Sequence, residues 1–486
     1  MLLMSATLAS ASENIAGERS STAKIKKTES TVPAEGETAL QCGDFRSIYN
    51  FVQEQHLRIH HLNPQQRASL MQESFKKIPD ALETLGMPMM ARQFEKKVLA
   101  TVRRSKGSDI GQLCKQLGSS SYRKAFLKAY AKNLDPYSDF YVTEELEVKA
   151  SALEGDFIGV GIGTKHDGEV LQVTEVVEEG PSDGKLQVND RIFKIDGRSV
   201  LGLMEAEVRQ RIRGPLGANV RFEGRRGEGS FDVTVTRARV HQKSVSYEWK
   251  DQSVLMIKIH RFFRQTADEV ESVLMTQGKN AKGYILDLRN NPGGLLQGAR
   301  DIVDFFIAQG VVVYLKGKNY DDQIWALREG GDTTKPLVVL VNEGTASAAE
   351  IVAGALQDYG RAIVVGQKTY GKGSVQNIYE TQAALGTTFK GGLKLTTLWY
   401  FLPSGKNVRM MDPDVQLASA TDTKEKTLDH PSMPYFGPDQ IPVVPFQNLS
   451  EAHSTDFKRK ANAIVSGSDN SEEVGKKLLL EMLATR

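Results

Sequence analysis

Between residues 245 and 405, short apolar runs rich in β-branched residues alternate with longer amphipathic runs, and this alternation constrains the fold more than any other feature. Short apolar runs are typical of buried strands, and apolar residues at a period of 3.6 are typical of the helices that cover them. The alternation therefore predicts an α/β fold. The predicted strands are SVLMIKI, GYILDLR, PLVVLVN and AIVVG, and the predicted helices are TADEVESVLMTQ, GARDIVDFFIAQG and SAAEIVAGALQDYG.

The chain changes character on both sides of this region. Upstream, Phe45, Ile48, Tyr49 and Val52 recur at helical spacing, and strand signals are few before residue 155. After that point, runs such as DFIGVGIG and FDVTVTR are β-rich and are separated by Gly, Pro and Asp turns. The predicted division is a signal peptide and disordered lead-in (1–43), an N-terminal helical domain (44–150), a compact β-rich domain (155–240), the α/β core (245–415), and a C-terminal extension (416–486) with the closing helix SEEVGKKLLLEML.

Composition excludes several classes of protein. The chain has 486 residues and a net charge of +2, which argues against nucleic-acid binding as its main role because that role needs a clustered basic face. No stretch approaches the roughly 20 apolar residues of a membrane-spanning helix. The two cysteines cannot supply a zinc site in the usual ligand patterns, and the sequence implies no metal or cofactor.

The N-terminus and the cysteines bear on the compartment. MLLMSATLASASENIAGERS has a short apolar stretch and an Ala-Ser-Ala, as a secretory signal does, although its first basic residue is Arg19. The segment is a signal with a shortened start or simply a disordered end. Cys42 and Cys114 could pair in an oxidising compartment or remain free thiols. We expect an exported protein, with the bacterial periplasm as its compartment.

Two motif matches point to functions that the context rejects. GQKTYGKGSVQ (366–376) nearly fits the phosphate-binding pattern G-x-x-x-x-G-K followed by Ser or Thr, but Gly373 occupies the last position. The next residues, SVQNIYE, favour a strand where a phosphate loop requires a helix. GPSDG (180–184) fits the G-x-S-x-G elbow, but Ser182 is followed by a turn and not by a helix. We therefore expect an ordinary turn at Ser182 and no nucleotide at Lys372.

Ser347 and Lys372 suggest a different chemistry. Ser347 begins a predicted helix, where a serine is most often only an N-cap. The free N–H groups at a helix start can also stabilise an oxyanion when such a serine attacks a carbonyl. No histidine lies between His260 and His430, so Lys372 is the remaining candidate base, provided that desolvation lowers its pKa. If 372–376 is extended, Gln376 points the same way as Lys372.

A third candidate element is DLRNNPGG (287–294), where a predicted strand ends in an Asn-Pro-Gly-Gly turn before a helix. Such a turn can aim backbone N–H groups at a ligand, although an ordinary strand-to-helix turn has the same sequence character.

Together these segments resemble the C-terminal processing peptidases, also called tail-specific proteases. VNEGTASAAEIVAGALQDYGRAIVVGQKTYGKGSVQ resembles their catalytic core, and GYILDLRNNPGGLLQGA resembles their oxyanion-side motif. DFIGVGIG through IRGPLGANV resembles their PDZ domain, and NLDPYSDFY resembles the segment that leads into it. The resemblance implies a crotonase-like protease core with a PDZ domain inserted before it.

The resemblance also implies roles for individual residues. Ser347 would be the nucleophile and Lys372 the general base, assisted by Gln376. The oxyanion hole would use the backbone N–H of Ala348 and that of either Gly293 or Gly294. The PDZ residues that would bind a C-terminal carboxylate are Phe157, Ile158, Gly159, Val160 and Gly161, with Arg213 as a gating contact.

The implied function is a serine endopeptidase whose PDZ domain captures protein substrates by an accessible, apolar C-terminus. An adaptor or activator protein, and homo-oligomers formed through the terminal helices, are further implied partners. The alternatives are a non-catalytic PDZ scaffold that binds tails and an acyl-CoA enzyme on the same core.

The sequence departs from the family pattern at three places, one of which is MMDPDV (410–415), where the usual Gly-Ile before Pro-Asp is absent. Thr345 and Ala349 replace serines that flank the nucleophile in the family, while Ser347 itself is present. In the PDZ turn, Asn189 stands where the family has glycine, and asparagine tolerates the positive φ expected there.

Overall fold

The structure is a computed structural model and describes residues 39–97, 110–318, 321–326, 331–408, 411–417 and 470–484. The predicted signal segment, apart from residues 39–43, lies outside the described residues. The same is true of the predicted C-terminal extension, apart from residues 416–417 and 470–484.

The helices of the described residues fall in four groups along the chain. Those before the β-rich region are α1 (Cys42–Gln55), a 3-10 helix (Leu57–His61), α2 (Pro64–Lys76), α3 (Ile78–Thr84), α4 (Pro88–Lys97), α5 (Ile110–Leu117), α6 (Ser120–Leu134) and α7 (Thr143–Glu154). The others are α8 (Glu205–Ile212) in the β-rich region, α9 (Thr266–Thr276), α10 (Leu296–Asp304), α11 (Ala348–Asp358) and α12 (Thr381–Leu385) in the core, and α13 (Ser471–Ala484) near the end.

The strands up to residue 241 are β1 (Asp139–Val142), β2 (Asp156–Gly159), β3 (Ile162–His166), β4 (Leu171–Val176), β5 (Arg191–Ile195), β6 (Arg198–Ser199), β7 (Asn219–Arg226), β8 (Gly229–Thr236) and β9 (Ala238–His241). Those of the core are β10 (Val245–Trp249), β11 (Val254–Ile259), β12 (Gly283–Asp287), β13 (Gly310–Gly317), β14 (Asp321–Ala326), β15 (Leu337–Val341), β16 (Ile363–Gly366), β17 (Ser374–Glu380), β18 (Gly391–Phe401) and β19 (Val415–Gln416).

A central sheet has the strand order β10-β11-β12-β15-β16-β19 and is parallel except at β10. Its strands are apolar on both faces because both are covered. Leu286 and Val339 pack with α9, α10 and α11 on one side, whereas Ile285, Val338 and Leu340 pack with Leu478 of α13 on the other. The predicted alternation of strands and helices is confirmed here, and α13 occupies the predicted closing helix.

A second sheet is built around β18, which pairs with β17 on one edge and with β1 and β13 on the other, and β14 extends it beyond β13. The prediction of few strand signals before residue 155 fits the described residues, where β1 is the one strand in that part and its Asp139 pairs with Lys394. A four-residue strand has little local signal of its own, and it forms here because β18 offers it a free edge.

The N-terminal helices share a hydrophobic core with the second sheet. Phe126 of α6 and Phe140 of β1 lie in one buried cluster with Leu393 and Leu395 of β18. Cys42 and Cys114 form a disulfide that joins α1 to α5. One end of α1 is therefore covalently attached to its neighbour, and the whole helical layer is packed against β18.

The β-rich region has its own core and its own sheet, with the order β3-β4-β5-β7-β8 and β6 beside β5. Strand β2 pairs with β9, so the start and end of the region lie side by side. Asn189 has φ 74°, which confirms the left-handed conformation expected in that turn. Arg237 is buried and donates to the carbonyls of Arg211 and Ile212, which fixes the end of α8.

Candidate active site

The three candidate segments follow three neighbouring parallel strands. The Asn-Pro-Gly-Gly turn follows β12, Ser347 follows β15, and Lys372 follows β16. Because the carboxyl ends of parallel strands meet at one edge of a sheet, segments far apart in sequence become neighbours there. The sequence-predicted serine, lysine and glycine turn are therefore brought to one edge of the central sheet.

Ser347 stands in a strained backbone conformation at the first turn of α11. Its φ is 57° and its ψ is −120°, a combination that non-glycine residues rarely adopt. The preceding turn supports it, since the Thr345 hydroxyl donates to the Leu288 carbonyl at 2.9 Å and accepts from the Asn342 N–H at 3.0 Å. Ser347 is half-buried, so its hydroxyl is held at a fixed point near the surface.

The glycine turn packs directly against the serine. A Cβ at Gly293 would lie 2.8 Å from Ser347 Cβ and 2.9 Å from the Ala348 nitrogen, so the turn requires glycine there. Asn291 anchors the turn, because its side chain is buried, donates to the Ile259 carbonyl at 2.8 Å and accepts from the Gly293 N–H at 2.9 Å.

Two backbone donors stay free beside Ser347. Within the described residues, the N–H groups of Ala348 and Gly294 have no hydrogen-bond acceptor, whereas that of Gly293 donates to Asn291. Ala348 is the first residue of α11, where the helix itself leaves the N–H unsatisfied. The free pair can therefore receive an anionic oxygen.

Lys372 is half-buried, and burial lowers its pKa to about 8. The neighbouring Lys394 ammonium also lowers the pKa of Lys372, while the carboxylates of Glu350 and Asp135 act in the opposite direction. Lys372 Nζ lies 5.0 Å from the ring centroid of Tyr137 and is not hydrogen-bonded to Ser347 Oγ. A lysine in this state has a substantial neutral fraction near neutral pH, as a general base needs.

A buried carboxylate that the sequence reasoning missed connects the two residues. Glu350 Oε2 accepts from the backbone N–H of Ser347 at 2.7 Å and from that of Lys372 at 3.0 Å. Its Oε1 accepts from the Gly371 N–H and from the Thr369 hydroxyl. The signal was present, because a glutamate three residues after a helix-capping serine has the spacing of a capping box.

Gln376 lies on β17 but makes no hydrogen bond with Lys372 in the structure. Its Nε2 donates to Ser374 Oγ at 3.0 Å and to Thr396 Oγ1 at 3.2 Å. The register of β17 shifts between Val375 and Gln376, so the simple alternation that put Gln376 beside Lys372 does not apply.

A cavity of about 540 Å³ lies beside β17. Leu296, which follows the glycine turn, and Val375, which follows Lys372, form part of its wall. The remaining lining residues come from α1, β13, β17 and β18 or lie next to them, and they are Glu54, Gln55, Leu315, Gly317, Lys318, Asn377, Tyr379, Thr397 and Leu398.

The β-rich region holds a second cavity, of about 270 Å³. Phe157 and Ile158 stand partly exposed at this cavity, each with 37% of its surface accessible. All the residues predicted to bind a C-terminal carboxylate, and Arg213 with them, line this cavity. Its lining residues are Phe157, Ile158, Gly159, Val160, Gly161, Ile162, Thr164, Val208, Ile212 and Arg213.

The described part of the chain brings together no group of three or more His, Cys, Asp or Glu side chains that could hold a metal ion. Nor do the described helices include one long and apolar enough to cross a membrane.

The carboxyl end of the central sheet thus holds a strained serine, two N–H donors beside it and a lysine whose pKa burial lowers. Residues 253–417 match Peptidase family S41, and residues 172–226 match a PDZ domain. A carboxy-terminal-processing protease of Bartonella bacilliformis is 33% identical over 309 residues, which are 61% of this chain and 70% of that protein. The chain belongs to peptidase family S41, which confirms the resemblance noted in the sequence.

Other relatives match over a similar length. A probable CtpA-like serine protease of Staphylococcus haemolyticus is 32% identical over 315 residues, which cover 63% of this chain and 62% of that protein. Among solved structures, the photosystem II D1 C-terminal processing protease has a TM-score of 0.44 at 21% identity, covering 77% of this chain and 92% of that one.

Proposed function

We propose that this chain is a serine endopeptidase that cleaves proteins presenting an accessible, apolar C-terminal tail, on a crotonase-like core with a Ser-Lys dyad. The observation that carries the proposal is the shared carboxylate of Glu350, which links the backbone of a strained serine to that of a desolvated lysine. A capping box alone accounts for the bond to Ser347, but it does not account for the second bond, from the Lys372 backbone to the same oxygen.

In the proposed reaction, Ser347 Oγ attacks the scissile carbonyl while Lys372 Nζ accepts the hydroxyl proton. The carbonyl oxygen becomes an oxyanion, which the N–H groups of Ala348 and Gly294 stabilise. We favour Gly294 over Gly293 because the Gly293 N–H already donates to Asn291. Lys372 then returns the proton to the leaving amine, and water hydrolyses the acyl-enzyme by the same steps in reverse order.

Gln376 is proposed to assist from β17. Its amide already donates to Ser374 and Thr396, so its carbonyl oxygen can accept from the Lys372 ammonium or from a backbone N–H of the substrate. Either contact would orient a reacting group.

The cavity of about 540 Å³ is proposed to receive a substrate side chain next to the scissile bond. Leu296 lies two residues after Gly294 of the glycine turn, and Val375 lies three residues after Lys372. The apolar part of its wall, which includes Leu315 and Leu398, suits an apolar side chain.

The second cavity is proposed to bind the C-terminal tail. An extended tail would add as a strand, with its carboxylate on the backbone N–H groups of the loop from Phe157 to Gly161. The apolar lining by Val208 and Ile212 supports selection of an apolar last residue, and Arg213 at the cavity supports the gating contact expected there.

We also propose that the protein works in an oxidising compartment, with the bacterial periplasm as the expected one. The disulfide between Cys42 and Cys114 supports this, because disulfides persist outside the reducing cytosol. An adaptor or activator protein, and oligomers built through the terminal helices, belong to the same proposal.

The test uses an unstructured protein with an apolar tail, followed by intact mass. Wild type should cut it, while Ser347→Ala and Lys372→Ala should not, and a tail ending in charged residues should be cut more slowly. Binding of the tail without turnover, equal in wild type and both variants, would instead favour the tail-binding scaffold.

A further inference from the structure

The Lys372 ammonium rests on an aromatic ring and not on a hydrogen-bond acceptor. Its Nζ lies 5.0 Å from the centroid of Tyr137, and within the described residues it forms no hydrogen bond and no ion pair. A half-buried ammonium has three donors to satisfy. The negative face of the ring is the partner that attracts the charged form of the amine.

Tyr137 is held in place by a built turn. Asp135 Oδ1 accepts from the Tyr137 N–H at 2.6 Å and from the Ser138 N–H at 2.9 Å. Asp135 Oδ2 accepts from the Ser138 hydroxyl at 2.7 Å and lies 2.6 Å from Nε2 of the buried His56, which directly follows α1. The contacts between this turn and the N-terminal helices therefore hold the Tyr137 ring beside Lys372.

We propose that the ring of Tyr137 is the resting partner of Lys372 and acts as a positioning residue for it. The inference rests on the proposed function of Lys372 as the base. The ring binds the ammonium and keeps it away from Ser347, whereas a neutral amine loses this attraction and can turn to the serine. The other charged or titratable groups facing Lys372 are Lys394, Glu350 and Asp135, together with Tyr400, whose hydroxyl donates to the Lys372 carbonyl.

The sign of the effect follows from the ring's charge distribution. A cation–π contact stabilises the ammonium and so raises the lysine pKa, against the lowering by burial and by Lys394. Removing the ring outright would lower the Lys372 pKa through loss of the cation–π contact, but it would also admit water, which stabilises the ammonium and raises the pKa. The test must therefore weaken the quadrupole of the ring while its size stays the same.

The experiment replaces Tyr137 by phenylalanine and by phenylalanines carrying one, two and five fluorine atoms. Each protein also carries Ser347→Ala, and the Lys372 pKa is measured by NMR of ¹³C-labelled lysine, assigned by its loss in Lys372→Met. We expect Tyr137→Phe to keep the pKa. The fluorinated series should lower it stepwise, to at least about a threefold larger acid dissociation constant with five fluorine atoms.

The same series at Tyr247, a partly exposed residue of β10, is the matched control and should leave the Lys372 pKa unchanged. A Lys372 pKa that stays constant across the Tyr137 series would overturn the proposal. The measurement needs no proteolysis, so a failure of the proposed enzyme activity would be seen separately, as a wild type that cuts nothing while the pKa still moves.

Discussion

The backbone N–H groups of Ser347 and Lys372 donate to the same oxygen, Glu350 Oε2, at 2.7 and 3.0 Å. The other oxygen, Glu350 Oε1, accepts from the Gly371 N–H and lies within hydrogen-bond distance of the Thr369 hydroxyl, so three backbone donors surround this carboxyl group. Burial raises the pKa of Glu350, and the four hydrogen bonds oppose that rise. One buried carboxyl group thereby ties the backbone of the proposed nucleophile to that of the proposed base.

Glu350→Gln should lower kcat by about tenfold or more while KM changes little. Whichever way the amide turns, its NH2 group faces at least one backbone N–H, and each buried donor left unpaired costs about 1–3 kcal/mol. Steady-state kinetics and denaturant unfolding measure the two effects. Glu343→Gln, at an exposed position of the loop before Ser347, is the control and should change neither kcat nor the free energy of unfolding. Equal kcat in both variants would mean that the shared carboxylate has no role in positioning.

The lowered pKa of Lys372 predicts the pH dependence of cleavage. The base works when neutral, and with a pKa of about 8 its neutral fraction rises from about one tenth at pH 7 to about nine tenths at pH 9. We expect kcat/KM to rise about tenfold over this range and then to level off. A rise that continues in proportion to hydroxide beyond pH 9 would show an ordinary lysine. Lys372→Arg should be inactive at every pH, because arginine does not deprotonate.

An element of the fold can be predicted from the sequence when the residues that stabilise it are close together in the chain. The central sheet was predictable because β11, β12, β15 and β16 each carry a local apolar run between amphipathic helices. The second sheet was not, since β1 forms only by pairing with β18, as Asp139 does with Lys394. A pairing at such separation leaves no local pattern.

The candidate site divides in the same way. Ser347, Lys372 and the glycine turn could be predicted because each stands in a short motif that is recognisable from its local sequence. Tyr137 reaches Lys372 only through the packing of the N-terminal layer on β18, which sequence spacing does not encode. The expectation that Gln376 points the same way as Lys372 rested on simple alternation, which the register shift between Val375 and Gln376 interrupts.

Gly293→Ala should abolish cleavage and destabilise the fold. The added Cβ would lie 2.7 Å from the Ala346 carbonyl oxygen and 2.9 Å from the Ala348 nitrogen, and φ at this position is +90°. The turn must then move away from Ser347, which displaces a proposed oxyanion donor and should cost at least about a hundredfold in kcat. Gly43→Ala, whose Cβ would meet nothing within 4 Å, is the matched substitution. Retained activity in Gly293→Ala would contradict the close packing of this turn against the serine.

Removing the disulfide should destabilise the N-terminal layer. Cys42 and Cys114 are 72 residues apart, and a disulfide typically stabilises a fold by about 2–4 kcal/mol. The double variant Cys42→Ala and Cys114→Ala should unfold at lower denaturant by this amount. Reductant should destabilise the wild type and leave the double variant unchanged. Identical unfolding of both proteins under oxidising conditions would show that α1 is held by packing alone.

Val375→Trp should change which peptide bonds are cut. Val375 lines the cavity of about 540 Å³ beside the base, and an indole there would occupy much of the space proposed for a substrate side chain. We expect cleavage next to large apolar residues to fall at least about tenfold relative to cleavage next to alanine, with tail binding unchanged, because the PDZ cavity is a separate site. Mass spectrometry of the fragments from one unstructured substrate gives both rates in a single digest. Val188→Trp, at an exposed position of the PDZ domain, provides the comparison and should keep the wild-type pattern. If both variants cut at the same bonds as wild type, the cavity does not receive a substrate side chain, and the selection of the scissile bond comes from the tail alone.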